Sequence, residues 1–245
     1  MYLVQNFHDL FSWSALGSLL LLSVLEIVLG IDNIIFISIV AGKLPKNKQK
    51  KTRTTGLLLA LLMRIIMLFA ITTLAQMKST LFSISDFDVT ARDLILFGGG
   101  IFLLIKTSLE ILDKIKSGGE EEAPEPSVTQ NVLRAAVLQI VLIDIVFSFD
   151  SILTAVGLVT NLLIMILAVI VGMLIMIEFS GTVSDFINKN PTIKMLALAF
   201  LLMIGVLLIS SAFHHEIPKG YIYLAMGFSL FVETLNIQVK KRRKH

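Results

Sequence analysis

The chain has 245 residues, of which 56% are hydrophobic and only 16% are charged, and it contains no cysteine. Ordinary soluble domains carry roughly 25% charged residues, so this composition argues against a soluble enzyme or a disulfide-stabilised scaffold. The net charge of +3 comes from short basic clusters between apolar stretches. Such clusters are typical of membrane topology signals rather than of nucleic-acid binding. We therefore predict a membrane protein with no nucleic-acid partner.

Seven apolar stretches are long enough to cross a lipid bilayer as helices, because a span needs about 20 residues and the backbone in lipid must satisfy its own hydrogen bonds. We place them at about 14–40, 56–76, 94–112, 132–158, 162–179, 194–213 and 221–239. The first stretch lacks a basic leader and a small-residue cleavage site, so we expect it to stay in the mature protein. The predicted fold is an all-α polytopic membrane protein of seven transmembrane helices.

The longest polar segment, residues 117–131, contains a Gly-Gly pair, three consecutive glutamates and two prolines. This composition is typical of a flexible tether. We predict a first membrane repeat of three helices at 1–116 and a cytoplasmic tether at 117–131. A second repeat, with the seventh helix and a basic tail, follows at 132–245.

The distribution of basic residues predicts the orientation of the chain. Most of the 21 lysines and arginines follow the first, third and fifth stretches or end the chain, whereas the opposite side holds only Lys78, Arg92 and Lys219. Cytoplasmic loops carry an excess of lysine and arginine. We therefore expect the N-terminus outside and the C-terminus in the cytoplasm.

Two matched motifs lie on opposite sides of the tether. Residues 26–36 read EIVLGIDNIIF and residues 144–154 read DIVFSFDSILT. Both follow the order acid, three apolar residues, small residue, apolar residue, acid and small polar residue. Because the predicted topology makes the first and fourth spans antiparallel, we predict an inverted three-plus-three helix repeat with one extra C-terminal helix. Transporters of this architecture bind substrate near the bilayer midplane.

The polar members of the two motifs predict an ion site. A carboxylate near the bilayer centre costs roughly 2.5–3.5 kcal/mol on insertion scales, so four such acids without a role are not expected. Carboxylate, amide and hydroxyl oxygens suit hard cations such as Mg²⁺, Ca²⁺ or Mn²⁺. The candidate metal ligands are Glu26, Asp32, Asn33, Asp144, Asp150 and Ser151.

Helix geometry relates the candidate ligands within each motif. On a straight helix, Glu26 and Asn33 are seven residues apart and share a face, whereas Asp32 points about 120° away at about 100° per residue. Gly30, or a local unwinding there, could bring both acids towards one cavity. The alternative reading is that the acids form buried ion pairs that hold helices together, with Arg64 in the second span as the obvious partner.

Protons are the natural companions of such a cation. Burial favours the neutral form of a carboxylate and a nearby cation favours its charged form, so metal and proton compete for one site. We expect no permanently bound cofactor. The expected partners are the lipid bilayer, a transported divalent cation and protons.

Five further polar residues receive weaker interpretations. Lys106 lies four residues before Glu110, which favours a pair along one helix, although Lys106 is also a candidate for charge balance or gating. Glu178 and Glu233 lie towards the cytoplasmic ends of their spans, where an interfacial position explains them and an ion path is the alternative. His214 precedes two further polar residues at the outer end of the sixth span, in a solvated loop or a metal-capture point.

Together these residues resemble the TerC family of integral membrane proteins. The paired motif carries the resemblance, and further matches run through nearly the whole chain. They are Met63-Arg64, the stretch 92–100 with Lys106, and the segments 191–196, 218–223 and 232–236. The resemblance implies a lysine-exporter-like superfamily built on inverted three-helix repeats, and Mn²⁺ export across the bacterial cytoplasmic membrane. The family takes its name from tellurite resistance. Carried over by position, the six motif residues would form the ion site and Arg64 would balance or gate its charge.

We therefore predict a secondary transporter that exports a hard divalent cation, with Mn²⁺ favoured, in exchange for protons. One alternative is a membrane scaffold that assists assembly or metalation of other proteins, in which the acids are structural. Another is an exporter of an organic cation such as a cationic amino acid. We do not expect an enzyme, because the sequence offers neither a convincing nucleophile–base set nor a nucleotide-binding loop.

Overall fold

The computed structural model describes residues 12–74, 82–84, 87–116, 129–159, 161–215 and 217–242. Of residues 71–74, 82–84, 87, 150, 153, 154, 219 and 241, the structure describes the backbone only. Most of the predicted tether therefore lies outside the described residues.

Helices make up almost all of the described chain. They are α1 (Trp13–Leu29), α2 (Ile31–Gly42), α3 (Lys46–Leu74), α4 (Ala91–Lys116), α5 (Gln130–Leu158), α6 (Leu162–Lys189), α7 (Pro191–Ala212) and α8 (Lys219–Arg242). Counting α1 and α2 as one segment, the described residues contain seven helical segments long and apolar enough to cross a membrane. The predicted all-α protein with seven transmembrane helices is thus confirmed. The inverted relation of its halves stays a prediction.

A short hairpin between α3 and α4 is absent from the sequence prediction. Strand β1 (Phe82–Ile84) pairs antiparallel with β2 (Phe87–Val89), so that Phe82 lies opposite Val89 and Ile84 lies opposite Phe87. Aromatic and β-branched residues favour such pairing. Strands of three residues are too short to produce a recognisable alternation in the sequence.

Two spans are longer than predicted. Helix α3 begins at Lys46 rather than near residue 56, and α6 ends at Lys189 rather than near residue 179. The added turns of α3 are rich in lysine, arginine and glutamine, which are good helix formers and whose long side chains can extend to the membrane surface while the backbone stays helical. A boundary placed where the apolar run ends therefore misses the polar turns of the same helix.

The first span is divided at Gly30 into α1 and α2. The local unwinding at Gly30, which we considered from the sequence, does not occur. The Gly30 N–H is shared between the carbonyl oxygens of Glu26 at 2.9 Å and Ile27 at 3.2 Å, and the Ile34 N–H donates to the Gly30 carbonyl at 3.0 Å. Helical hydrogen bonding therefore runs through the joint, with one tightened turn. A side chain at position 30 would overlap the sulfur of Met176 on α6, so glycine allows the close approach of these helices.

The described chain divides into two compact units. The first unit combines α1, α2, α3, α5 and nearly all of α6. Its apolar core includes Leu22, Leu68, Ile152, Met165 and Val169. Helix α3 packs closely along α5 where a Cβ atom at position 56 would lie 2.8 Å from the side chain of Ile140.

The second unit combines the hairpin, the last turn of α6, and helices α4, α7 and α8. Its helices α4 and α7 meet at two glycines: a Cβ atom on Gly100 would lie 2.7 Å from Ile209 Cγ1 and 2.9 Å from the Gly205 carbonyl oxygen. Phe97 and Phe213 pack edge to face, with ring centroids 5.8 Å apart.

Each unit takes helices from both predicted halves of the sequence. The first two spans of each half belong to the first unit, and the third span of each half belongs to the second unit. The predicted division into residues 1–116, 117–131 and 132–245 follows the repeat in the sequence, whereas the two compact units follow the packing of the helices. The predicted division stays a prediction.

Candidate intramembrane ion site

Arg64 of α3 joins acids from the two motifs inside the first unit. Its side chain is almost fully buried, since the residue is 2% exposed. Its Nε donates to Asp144 Oδ2 at 2.9 Å and its Nη2 donates to Asp144 Oδ1 at 2.8 Å, which is a two-pronged contact with α5. Its Nη1 contacts Glu26 Oε1 on α1. The buried ion pairs considered as the alternative reading are therefore present for Glu26 and Asp144.

The Asp144 carboxylate accepts four hydrogen bonds. Besides the two from Arg64, Oδ1 accepts one from Asn33 Nδ2 at 2.9 Å. Oδ2 shares the single Ser148 hydroxyl proton, at 3.0 Å, with the Asp144 carbonyl oxygen, at 2.5 Å. The residue is 1% exposed. Two carboxylate oxygens offer about four lone-pair positions, so a cation can bind Asp144 only by displacing one of these donors.

Asn33 presents an amide oxygen that accepts no hydrogen bond from the described residues. Because its Nδ2 must face the Asp144 carboxylate, which is an acceptor, its Oδ1 is turned away from that carboxylate. This oxygen is buried, and a buried acceptor without a donor costs about 1–3 kcal/mol. A hard cation or a proton donor at this position would remove that cost.

A small internal cavity adjoins the charged cluster. It has a volume of about 20 Å³ and is lined by Glu26 of the first motif and Ser151 of the second, together with apolar side chains such as Leu68 and Met165. That volume holds about one water molecule. The Ser151 hydroxyl donates to the Ser148 carbonyl at 3.0 Å, so its oxygen keeps acceptor capacity. The two motifs thus each contribute an oxygen-bearing residue to the lining of one cavity.

The other two motif acids, Asp32 and Asp150, are described by their positions in the helices. Asp32 lies in the first turn of α2 and is 5% exposed. Asp150 lies in α5, but its side chain is outside the described residues. Glu26 and Asn33, predicted to share a helix face, both reach the Arg64–Asp144 pair.

Helix α6 forms a wall of the site that sequence reasoning missed. A Cβ atom on Gly172 would lie 2.7 Å from Glu26 Cγ and 3.0 Å from Glu26 Cβ, so the absence of a side chain there makes room for the acid. Met176, one turn further along α6, packs against Gly30. The sequence does show a glycine, Gly172, among bulky apolar residues of this span. A glycine alone, however, does not reveal which residue of another helix packs against it.

The weaker candidates lie elsewhere on the chain. Glu178 is exposed on α6. Lys106, Glu233 and His214 belong to the second unit, where Lys106 is exposed on α4. Glu233 accepts hydrogen bonds from Thr192 and, at 3.3 Å, from Asn236 Nδ2.

His214 is held by a contact within the second unit. Its Nε2 lies 3.2 Å from Asp93 Oδ2, and the same carboxylate oxygen accepts from the Thr90 N–H at 2.9 Å and from Thr90 Oγ1 at 2.7 Å. Glu216 lies outside the described residues. In the part of the chain that the structure describes, no three His, Asp or Glu side chains are grouped so as to hold a metal ion.

Sequence comparison then decides the family. The sequence model of the TerC family of integral membrane proteins matches residues 11–245. The chain belongs to the TerC family. The Arg64 cluster is therefore a feature of a TerC family protein with seven candidate membrane spans.

Two of the UPF0053 proteins similar to this chain align over nearly their whole length. The chain is 45% identical over 231 residues to the UPF0053 inner membrane protein YgdQ of Escherichia coli (strain K12), covering 94% of each protein. It is 43% identical over 227 residues to a UPF0053 protein of Haemophilus influenzae, covering 93% of this chain and 95% of the relative. UPF0053 protein YegH of Escherichia coli (strain K12) is longer: the 230 aligned residues, 43% identical, cover 93% of this TerC chain and 43% of YegH. No solved structure matches the chain.

Proposed function

We propose that this TerC family protein is a secondary transporter that exports a hard divalent cation, with Mn²⁺ as the expected cargo, in exchange for protons. It acts in the bacterial inner membrane, with its N-terminus outside and its C-terminus in the cytoplasm. The names of its relatives, the seven apolar segments and the distribution of basic residues support this placement.

The charge balance at Arg64 carries the proposal. Glu26 and Asp144, one from each motif, bring two negative charges to the single positive charge of Arg64. An excess negative charge in a dry interior costs several kcal/mol, so uptake of a proton or a cation there is favourable. Asp32, buried six residues beyond Glu26, adds a further carboxylate to the same membrane segment.

Arg64 serves as an internal cation that competes with the cargo. Because Arg64 contacts oxygens of both acids, a metal ion that enters from the cytoplasm competes with it for their negative charge. Protons arriving from the outer side neutralise the carboxylates and favour release of the metal. Release of these protons to the cytoplasm restores the charged carboxylates, which then pair with Arg64 again until the next metal ion enters.

The oxygen atoms around the cluster suit a hard cation. Glu26 and Ser151 line the small cavity. Asn33 Oδ1 is a buried acceptor to which none of the described residues donates a hydrogen bond. Mn²⁺, Mg²⁺ and Ca²⁺ prefer oxygen ligands of this kind, whereas soft metals prefer sulfur ligands. The family resemblance favours Mn²⁺ among these. Rocking of one inverted repeat against the other would expose the site alternately to the two sides.

A second candidate function has one observation in its favour. The Asp144 carboxylate is fully hydrogen-bonded by Asn33, Arg64 and Ser148, which is what a purely structural acid requires. In that case the protein would be a membrane scaffold that assists assembly or metalation of other proteins. The scaffold predicts no metal flux from the isolated protein.

Flux measurement tests the transporter. The purified protein is reconstituted into inside-out proteoliposomes, and Mn²⁺ uptake is followed with and without an acidic lumen. We expect uptake that depends on the pH gradient and that Asp32→Asn and Asp150→Asn each slow by at least roughly tenfold, the scale on which changes around a metal site act. Asp113→Asn, which removes an exposed acid of α4, should leave the uptake unchanged.

Each other outcome has a defined meaning. Normal uptake by both variants would refute the assignment of Asp32 and Asp150 to the ion site. Absence of uptake by folded wild-type protein would refute Mn²⁺ export and favour the scaffold. Uptake of lysine instead of Mn²⁺ under the same gradient would identify an organic-cation exporter.

A further inference from the structure

A long open groove runs between α3 and α5 on the first unit. Its volume is about 810 Å³. The floor of the groove is apolar, and several of its side chains are largely exposed. Leu59, Leu62 and Leu138 are the exposed ones, and Met63 and Val141 are partly buried beside them.

One end of the groove is basic. Lys48 and Lys51 of α3 and Arg134 of α5 line that end, together with hydroxyl and amide groups of Thr55 and Gln130. None of the described lining residues is acidic. Helices α3 and α5 both begin here, at Lys46 and at Gln130, and helix N-termini add partial positive charge. The basic end therefore favours an anion.

The length of the groove matches an acyl chain of one leaflet. Lys51 and Leu62 are 11 residues apart on α3, which is about 16 Å at 1.5 Å per residue. Half of a typical hydrocarbon core is about 15 Å thick. A lipid whose phosphate lies at the basic end would therefore extend its chain over the apolar floor to about the bilayer midplane.

We propose that this groove is a binding site for an anionic phospholipid. The phosphate contacts Lys48, Lys51 and Arg134, and an acyl chain packs along Leu62 and Leu138. Three cations with no acidic residue among the described groove lining select against zwitterionic lipids, whose ammonium or choline group would approach the same charges. Basic pockets between membrane helices are known to bind anionic headgroups on the cytoplasmic side, which is where the positive-inside rule places these residues. The site does not depend on the transport activity proposed above.

Native mass spectrometry of the purified full chain tests the proposal. Binding of dioleoyl phosphatidylglycerol is compared with binding of dioleoyl phosphatidylcholine. We expect preferential retention of phosphatidylglycerol, weakened roughly fivefold for each cation removed, and thus about 25-fold in the variant Lys51→Gln with Arg134→Gln. The matched control is Lys46→Gln with Lys50→Gln, which removes the same charge from α3 residues outside the groove. The control should bind like the wild type.

Several results would overturn the assignment. Equal retention of the two lipids would show that the headgroup charge is not recognised, and equal weakening by the control would reduce the effect to net charge. Complete competition by soluble glycerol phosphate would indicate a free phosphate compound rather than a lipid. Binding that occurs only after the glutamates at 120–122 are replaced by glutamine would identify that acidic segment as the occupant.

Discussion

Substitution of Arg64 by methionine should lower the free energy of unfolding by about 3–5 kcal/mol, the scale for breaking a buried ion pair by removing one partner. Methionine fills similar volume but leaves the carboxylates of Glu26 and Asp144 without their shared cation. The measurement is the loss of helical circular dichroism in detergent during denaturant titration, with gel filtration to confirm that the starting protein is folded.

Matched variants separate charge from packing. Glu26→Gln and Asp144→Asn, added to Arg64→Met, remove the orphaned charges and should recover most of the lost stability. Arg64→Lys keeps the charge but cannot form the two-pronged contact with Asp144, so we expect an intermediate loss. A loss below about 1 kcal/mol for Arg64→Met would be typical of an exposed ion pair and would contradict the buried arrangement.

Gly172→Ala should cost about 1–3 kcal/mol, as expected for overpacking a tight interior. Alanine normally stabilises a helix relative to glycine by about 1 kcal/mol, so the sign of the effect is informative. The new Cβ would lie 2.7 Å from Glu26 Cγ, close to the backbone of α1. It therefore cannot be accommodated by moving only the end of a flexible side chain, and α1 and α6 must separate. The same variant should slow Mn²⁺ uptake, because it displaces Glu26 from Arg64.

Gly98→Ala provides the control for this substitution. A Cβ atom at position 98 meets nothing within 4 Å, so the helix α4 should gain roughly 0.5–1 kcal/mol. Thermal unfolding of the two variants, measured side by side, gives the comparison. If both alanines stabilise the protein, the close approach of α6 to Glu26 is wrong.

The sequence was sufficient for the number of spans because long apolar runs have few alternatives in a membrane. The sequence also predicted Arg64 as a partner of the acids, because a single arginine in an apolar span needs an acid nearby. The seven-residue spacing of Glu26 and Asn33 predicted a shared helix face, and the structure brings Glu26 to Arg64 and Asn33 to Asp144. These inferences depend on local spacing and on the cost of buried charge.

Features that depend on contacts between distant segments were not predictable. The side-chain-free surface at Gly172 has meaning only once Glu26 is known to pack against it, 146 positions away in the sequence. The occupancy of all four acceptor positions of Asp144 depends likewise on Asn33 and Arg64 arriving from other helices. The start of α3 at Lys46 was missed because hydropathy marks the membrane core and not the helix end.

The packing of α4 against α7 has a consequence for biosynthesis. About 75 residues separate the end of α4 at Lys116 from the start of α7 at Pro191. At a translation rate of about 5–20 residues per second, synthesis of α7 begins roughly 4–15 s after synthesis of α4 ends. During that interval its backbone is satisfied by its own hydrogen bonds, but the face around Gly100 meets lipid or the insertion machinery instead of α7. The second unit is therefore completed late, after every helix of the first unit has been synthesised.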